Sequence, residues 1–181
     1  MFTSKQQATL HAYARNCINA KLDLPPTPVD LRDSLFQKKS GLFVTLTLNG
    51  QLRGCIGSLA AFETITDGIK HHAVNAAFHD NRFSPVTAEE LDDIKIEISV
   101  LTEPVPLHFT DSQNLLEKLQ PGDDGVTLRH GIKFATFLPQ VWQQLPEPEQ
   151  FLNHLAIKAG LAIDGWRHKD VLIEIYSVIK F

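Results

Sequence analysis

A tight reverse turn between two alternating apolar runs is the feature that most constrains the fold of this chain. The runs Leu42–Leu48 and Gln51–Ile56 are separated by Asn49-Gly50, a dipeptide that favours the left-handed backbone of a β-hairpin turn. Strands joined this closely pair antiparallel, because a parallel pair needs a much longer crossover. The segment therefore predicts a hairpin rather than part of a doubly wound parallel sheet.

The register of this hairpin decides which side chains share a face. A two-residue turn would pair Leu46 with Arg53 and would put this polar side chain on the apolar face of the first strand. A three-residue loop that ends in a left-handed Gly50, followed by a bulge, would pair Leu46 with Leu52 instead. We prefer the second register, which predicts that Arg53 and Cys55 both lie on the polar face.

Amphipathic helices and further strands alternate along the rest of the chain. The run Asp92–Leu101 alternates isoleucine and valine with polar residues, as a strand with one buried face does. The predicted helices run from 3 or 4 to about 22, from 30 or 33 to 37, and over 62–78, 112–119, 139–145 and 148–159; further strands are predicted at 126–128, 132–137 and 171–179. Because tight hairpins recur among the helices, we expect an α+β fold, a mainly antiparallel β-sheet flanked by helices.

Length and composition limit the class of protein. The 181 residues fit one domain of about 150 residues, so we expect a single domain over residues 1–181, with room for a small lobe. A hydrophobic content of 43% and a charged content of 21% exclude a disordered or fibrous chain. The net charge of −4, without a cluster of lysine and arginine, argues against nucleic acid and anionic membranes as partners.

The cellular compartment is predicted from the cysteines and from the apolar segments. Cys17 and Cys55 are too few for a disulfide framework. No segment reaches the roughly 18 apolar residues of a membrane span, and residues 1–21 lack the uninterrupted apolar stretch of a signal peptide. We therefore expect a cytoplasmic protein with reduced thiols and no membrane partner.

The run Leu52–Gly57, of sequence LRGCIG, is the most unusual part of the chain. Glycines weaken a strand, and Gly54 and Gly57 would leave space for another backbone or a ligand. A nearby cation favours the thiolate form of a cysteine, so Arg53 beside Cys55 indicates a nucleophilic, redox-active or ligand-holding thiol next to an anion-binding guanidinium. The other interpretation is a small buried cysteine packed between two glycines, with a structural arginine.

Three further charged residues are candidates for the same cleft. Asp80 and Arg82 follow a predicted helix, where they either pair with each other to fix the turn or line the edge of a pocket. Glu97 interrupts an apolar strand and faces solvent by default. If that strand neighbours the hairpin, Glu97 shares a face with Arg53 and Cys55. The candidate catalytic residues are Cys55 and Arg53, and the candidate ligand-binding residues are Arg53, Gly54, Gly57, Asp80, Arg82 and Glu97.

The histidines give no reason to expect a metal or a cofactor. His72 and His79 share a helix face but lie two turns apart, whereas a single metal prefers ligands about four residues apart on a helix. His130, in a turn beside Arg129, has the character of an ordinary loop residue. We therefore predict no metal site and no cofactor.

These residues resemble those of a known family. The run Leu52–Gly57 resembles the signature of the AMMECR family, also called AmmeMemoRadiSam system protein A in prokaryotes. The segment Asp80–Pro85, DNRFSP, resembles that family's Asp-x-Arg-Phe-x-Pro segment. The strand Ile94–Leu101, the stretch Gly125–Leu138 and Trp166 also fit. The resemblance covers most of the chain and implies an α+β domain with a mainly antiparallel sheet.

Two functional interpretations follow. The resemblance implies a pathway shared with a Memo-like protein and a radical S-adenosylmethionine (SAM) protein, the partners we expect besides an unknown small molecule. In the first interpretation, the cleft around Leu52–Gly57 binds a small anionic ligand or a partner without turnover. In the alternative, the chain is a cysteine-dependent enzyme in which Arg53 holds a carboxylate or phosphate and Cys55 attacks. Because a cysteine nucleophile normally needs a base and the sequence offers no obvious one, we favour binding.

Overall fold

Capping side chains fix where the helices begin in the computed structural model, which describes residues Phe2–Phe181. The Thr3 side chain accepts a hydrogen bond from the Gln6 N–H while the Thr3 N–H donates to the Gln6 side chain, a capping box. Thr64 accepts the N–H of Asp67 in the same way. Within the described residues the α-helices are α1 (Ser4–Asn19), α2 (Ile65–Phe78), α3 (Ser112–Lys118) and α4 (Pro148–Lys158). None of these helices has the length and apolar character needed to cross a membrane.

The strands form two sheets of four, and the paired strands run antiparallel. One sheet has the order β2-β1-β3-β8 and the other has the order β4-β7-β5-β6. The strands are β1 (Leu42–Leu48), β2 (Gln51–Ser58), β3 (Ile94–Leu101), β4 (Val105–Pro106), β5 (Gly125–His130), β6 (Lys133–Phe137), β7 (Leu172–Tyr176) and β8 (Val178–Lys180). Short 3-10 helices span Ser34–Gln37, Pro139–Gln143 and Gly165–Arg167. The predicted α+β class with mainly antiparallel pairing is confirmed.

The chain divides into two compact units. The first comprises Met1–Leu101 and Ile179–Phe181, and the second comprises Thr102–Val178. Each has its own hydrophobic core. The expectation of a single domain over residues 1–181, with room for a small lobe, stays a prediction.

The first unit buries one face of its sheet against α1 and α2. On that face, Val44 of β1 lies between Ile56 of β2 and Ile98 of β3, and Val44 and Ile98 are fully buried. The helices contribute buried apolar residues to the same core: Leu10, Ala14, Ile18, Ile65, Ile69, Ala73 and Ala76. Full burial of a valine, leucine or isoleucine contributes about 1.5–3 kcal/mol, so this face fixes the orientation of the hairpin. The other face of the sheet, which carries Cys55, points away from this core.

Two tryptophans organise the core of the second unit. The Trp142 ring stacks on the Phe151 ring of α4 with their centroids 3.7 Å apart. The Trp142 indole N–H donates to the Asp124 carbonyl at 2.7 Å. Buried Trp166 donates its indole N–H to Asn153 Oδ1 at 2.7 Å. Both indoles therefore bury their rings without leaving an unpaired donor.

The predicted three-residue loop of the first hairpin is wrong. The loop is the two-residue turn Asn49-Gly50, with φ of 52° and 79°, as a turn of the mirror-image type requires. The irregularity lies farther along the strands, where the register shifts between Leu46 and Thr47 and Arg53 becomes the extra residue of β2. A bulge at this point removes the arginine from the ladder, puts Ile56 opposite Val44 on the core face and leaves Leu52 on the face of Cys55.

The shifted bulge treats differently the two residues that were expected to share the polar face: Cys55 is paired in the ladder and Arg53 is not. Cys55 pairs with Thr45, on the face opposite Val44, so its predicted side of the sheet is confirmed. Arg53 has no partner in the ladder, and its guanidinium is bound to the segment Ser84–Glu90. That Arg53 shares the polar face with Cys55 stays a prediction, because the bulge leaves Arg53 outside the ladder register.

Other differences from the predicted elements are local. The helix expected from Phe62 begins at Ile65, after the Thr64 cap. The single final strand expected over 171–179 is divided into β7 and β8 by Ser177. The Thr102 N–H donates to the Ser177 carbonyl, and the Ser177 N–H donates to the Thr102 hydroxyl. Ser177 is therefore bonded to Thr102 and interrupts the strand.

Substitution of Gly54 tests how tightly β2 packs on α2. A Cβ at this position would lie 2.1 Å from the backbone oxygen of Ala76, so Gly54→Ala must displace backbone. We expect a loss of at least about 3 kcal/mol, the upper end of overpacking costs, in urea denaturation. Gly50→Ala is the matched control, because Gly50 has open space and only its positive φ opposes a side chain, a cost of about 1–2 kcal/mol. Equal losses in the two variants would contradict this packing.

Candidate functional site

An aspartate and an arginine from the segment after α2 hold the open edge of β2. Cys55 pairs with Thr45 on one side, and its backbone N–H and C=O are bonded on the other. The Cys55 N–H donates to Asp80 Oδ2 at 2.9 Å, and Arg82 Nη2 donates to the Cys55 carbonyl at 3.2 Å. The pair thus supplies the acceptor and the donor that a further strand would have supplied. We call Asp80, Arg82 and the Cys55 backbone the edge clamp.

The Asp80 carboxylate of the edge clamp is buried, and both of its oxygens accept hydrogen bonds. The Asp80 side chain is 3% exposed, and it accepts hydrogen bonds from Arg82 Nε at 2.9 Å and Arg82 Nη2 at 2.6 Å besides the Cys55 N–H. The Arg82 guanidinium and then the Cys55 N–H hold the pKa of Asp80 well below its usual range. Asp80 therefore holds Arg82 and the Cys55 N–H in place. Loss of either partner would leave a buried carboxylate without full compensation.

A second ion pair fixes the bulge at the start of β2. Arg53 Nε and Nη2 donate to the two oxygens of Glu90 at 2.9 and 3.0 Å, and its remaining contacts are the carbonyls of Ser84 at 2.8 Å and Pro85 at 3.3 Å. The Arg53 side chain is only 14% exposed. Four of the five guanidinium N–H groups are therefore bonded within the protein, which favours the structural interpretation of this arginine over anion binding.

Glu90 was missed by the sequence reasoning, although a local signal points to it. Arg53 lowers the pKa of Glu90, and the Thr87 N–H, which donates to Glu90 Oε2 at 2.9 Å, adds to this. Thr87 and Glu90 have the spacing of a capping box. The spacing predicts a carboxylate fixed at a chain turn, but it does not show that the turn lies against β2.

Cys55, Thr45 and Glu97 form a row across the outer face of the first sheet. Thr45 of β1 lies between Cys55 of β2 and Glu97 of β3. The Thr45 hydroxyl contacts the Cys55 sulfur at 3.3 Å, and Glu97, 47% exposed, lies 3.7 Å from the Lys180 ammonium. The strand of Glu97 neighbours the hairpin, so Glu97 shares a face with Cys55, as expected for that arrangement. The row presents a thiol, a hydroxyl and a carboxylate.

The two glycines of the signature are explained by packing. A Cβ on Gly54 would collide with the backbone of Ala76 in α2. A Cβ on Gly57 would lie 2.3 Å from a ring carbon of Phe43 and 2.4 Å from the Leu42 carbonyl. The space that was expected to admit a backbone or a ligand is filled by this chain itself. Both glycines are therefore needed where β2 packs closely on Ala76 and Phe43.

The available chemistry at Cys55 is that of a half-buried thiol beside a hydroxyl. Within residues 2–181, Thr45 supplies the only hydrogen bond to the sulfur. A cysteine nucleophile is normally activated by an adjacent base, and no imidazole or carboxylate contacts this sulfur in the described part of the chain. The arrangement suits contact with a ligand better than proton transfer.

The comparisons with known proteins agree with the motifs. A family model described as AMMECR1 matches residues 11–181. The chain belongs to the AMMECR1 family. The match covers both units and includes the edge clamp and the Arg53–Glu90 pair, so these contacts are part of the AMMECR1 region of the chain.

Several known proteins are similar to this AMMECR1 chain. Protein MJ0810 of Methanocaldococcus jannaschii is 35% identical over 164 residues, covering 89% of this chain and 82% of the relative. A protein of Thermofilum pendens is 35% identical over 188 residues, covering 92% and 84%. The crystal structure of uncharacterized protein PH0010 from Pyrococcus horikoshii is similar with a TM-score of 0.68 and 30% identity, covering 94% of this chain and 88% of that one. None of these names states an activity, so function is argued from the geometry.

The edge clamp predicts acid sensitivity of the AMMECR1 fold. The pKa of Asp80 is lowered by folding, so its stabilising effect is complete above its unfolded pKa of about 3.9 and is lost as the pH falls through its folded-state pKa. We expect the difference in unfolding free energy between wild type and Asp80→Asn to be largest at neutral pH and to shrink below about pH 4. Urea denaturation across this range measures it. Asp93→Asn, at an exposed position, is the control, and a wild-type advantage independent of pH would contradict the role of the Asp80 charge.

Proposed function

We propose that this chain is a noncatalytic binding protein that contacts a partner protein through the outer face of its first sheet around Cys55. The observation that supports it is that the charged candidate residues bind β2 itself, whereas Cys55 does not. Arg53, Asp80 and Arg82 are occupied in holding β2, whereas among residues 2–181 the Cys55 sulfur forms a hydrogen bond with the Thr45 hydroxyl alone. A rigidly held row with a thiol of this kind suits recognition more than turnover.

The charges around the row favour a partner surface over a small anion. Arg53 is neutralised by Glu90 and Arg82 by Asp80, at 2.9 and 2.6 Å. Arg82 keeps a half-exposed side chain, 51% accessible, so one cationic group is left for a contact at the rim. Leu52, on the face of Cys55, is 44% exposed and adds an apolar contact. A mixed polar and apolar sheet face is typical of the surface of a protein interface.

The candidate partners are the Memo-like protein and the radical SAM protein implied by the family resemblance. Their association with this chain is part of the proposal. Contact with either one at the proposed face would cover the Cys55 sulfur, and the thiol therefore provides a direct reporter of binding.

A thiol footprint tests the proposal. In a Cys17→Ser background, Cys55 is the only thiol of the full chain, and its alkylation by N-ethylmaleimide is followed by mass spectrometry with and without each candidate partner. We expect one partner to slow alkylation as it saturates the chain, and Glu97→Lys to weaken that protection. Glu117→Lys, at an exposed position of the second unit, is the matched control. Binding measured by calorimetry with unchanged alkylation would place the interface elsewhere.

The second candidate function is that of a cysteine-dependent enzyme. The hydroxyl 3.3 Å from the Cys55 sulfur favours it, because a hydroxyl can orient a thiol for attack. The lack of a bonded base within residues 2–181 makes it second. A covalent adduct on Cys55, formed with a metabolite extract and detected as a mass increase that Cys55→Ser abolishes, would support the enzyme and contradict noncatalytic binding.

Stability separates a contact residue from a packing residue. We expect Cys55→Ser to change the unfolding free energy by less than about 0.5 kcal/mol, as a substitution away from a core does, since the serine hydroxyl can keep the bond to Thr45. Cys17 packs against the first core, so Cys17→Ser is expected to cost about 1–3 kcal/mol for burying a hydroxyl. Urea denaturation compares the two. A larger loss for Cys55→Ser than for Cys17→Ser would assign Cys55 to packing.

A further inference from the structure

Two turns of the second unit bring together three side chains of the kinds that bind transition metals. His130, His168 and Asp170 each place a ligand atom within 4.8 Å of the others. The rings of His130 and His168 lie edge to face with their centroids 4.7 Å apart, and His168 Nδ1 lies 3.6 Å from Asp170 Oδ2. The cluster is separate from the residues of the proposed partner surface, and no step of the proposed function uses it.

The sheet register explains why residues distant in sequence meet here. Arg129 of β5 pairs with Leu172 of β7, so His130, the last residue of β5, lies beside the turn that leads into β7. That turn is closed by the Val171 N–H, which donates to the His168 carbonyl at 3.0 Å. Buried Trp166 precedes the turn and buried Val171 follows it. Both sides of the cluster are therefore attached to the core, and only the side chains need to adjust.

Three of the four cationic neighbours of the cluster have contacts elsewhere. Arg167 forms an ion pair with Glu149, and Lys133 Nζ donates to the Gly160 carbonyl at 2.5 Å. The Arg129 guanidinium lies 5.1 Å from the centre of the Phe134 ring. Lys169 is exposed between the two ligands of the turn. The cluster thus keeps one carboxylate and two imidazoles facing one another with limited opposition from positive charge.

The backbone also favours a free lone pair on one imidazole. The Asp170 N–H donates to His168 Nδ1 at 3.3 Å, which requires that this nitrogen be unprotonated. Metal binding needs the same form of the ring. A hydrogen bond of this length is weak, so a metal ion can replace it, or can take the other ring nitrogen while the bond persists.

We propose that His130, His168 and Asp170 form a binding site for a divalent transition metal, with zinc as the best match. Two imidazole nitrogens and one carboxylate oxygen suit Zn²⁺, whereas Mg²⁺ and Ca²⁺ prefer oxygen ligands alone. Zinc–ligand distances of about 2.0–2.2 Å place tetrahedral donor atoms about 3.3–3.6 Å apart. Atoms that now lie within 4.8 Å must therefore approach by up to about 1.5 Å, which half-buried and exposed side chains can do by rotation. The set leaves a fourth position for water or for a donor from a bound molecule.

Calorimetric titration of the full chain with zinc chloride tests the site. We expect one equivalent of Zn²⁺ to bind the wild type, and His168→Ala and Asp170→Asn each to weaken binding at least about tenfold, since loss of even an outer partner of a metal ligand has that effect. His154→Ala is the matched control, because His154 is an exposed histidine of the same unit. Thermal denaturation of each apo variant checks that it is folded.

A spectroscopic measurement keeps the test independent of variant folding. Co²⁺ added to the wild type is expected to give the visible absorption of a four-coordinate site, which one equivalent of Zn²⁺ abolishes. In nitrogen-15 spectra of the imidazoles, Zn²⁺ is expected to shift the signals of His130 and His168 and to leave those of His154 unchanged. Absence of zinc binding, equal binding by all variants, or loss of binding in His154→Ala would each overturn the site.

Discussion

The ion pair of buried Asp80 with half-exposed Arg82 closes the open edge of β2, and the arrangement around Cys55 depends on it. An edge strand exposes backbone donors and acceptors that must be satisfied or protected. Here a carboxylate accepts the Cys55 N–H and a guanidinium donates to the Cys55 carbonyl. The pair comes from the turn after α2, so the helix that packs on the core also delivers the groups that finish the sheet.

The Arg53–Glu90 pair completes the same construction at the bulge. Its bidentate geometry is the strong form of an arginine–carboxylate contact, and both partners are mostly shielded from water. With both ends of the signature fixed, the Cys55 side chain is held on the outer face beside Thr45. The candidate site residues thus fall into two groups. Arg53, Asp80 and Arg82 hold β2 in place, and Cys55 carries a half-buried thiol on the outer face of the sheet.

Local patterns in the sequence predict most of the fold. The hairpin around Asn49-Gly50, the strand over Ile94–Leu101 and a first helix that begins at Thr3 or Ser4 each follow from neighbouring residues, and the structure has all three. The position of the bulge was wrong because a two-residue turn with a bulge farther along β2, at Arg53, was not considered. The contacts that hold Arg53 there come from Glu90, a residue distant in sequence.

The site was harder to predict because its contacts join distant segments. Asp80 and Arg82 were expected either to pair or to line a pocket. They pair, but nothing in their spacing shows that the pair binds the Cys55 backbone. The cluster of His130 with His168 and Asp170 was missed for the same reason, since it depends on the β5–β7 register and not on ligand spacing along a helix.

Native-state hydrogen exchange at the Cys55 amide tests the central claim most directly. If Asp80 closes the edge of β2, this amide is protected in the wild type although it faces away from β1. In Asp80→Asn the protection is expected to fall sharply at Cys55, while the amides bonded between β1 and β3 keep theirs. A Cys55 amide that exchanges as fast as an open edge in the wild type, or that keeps its protection in Asp80→Asn, would contradict the account.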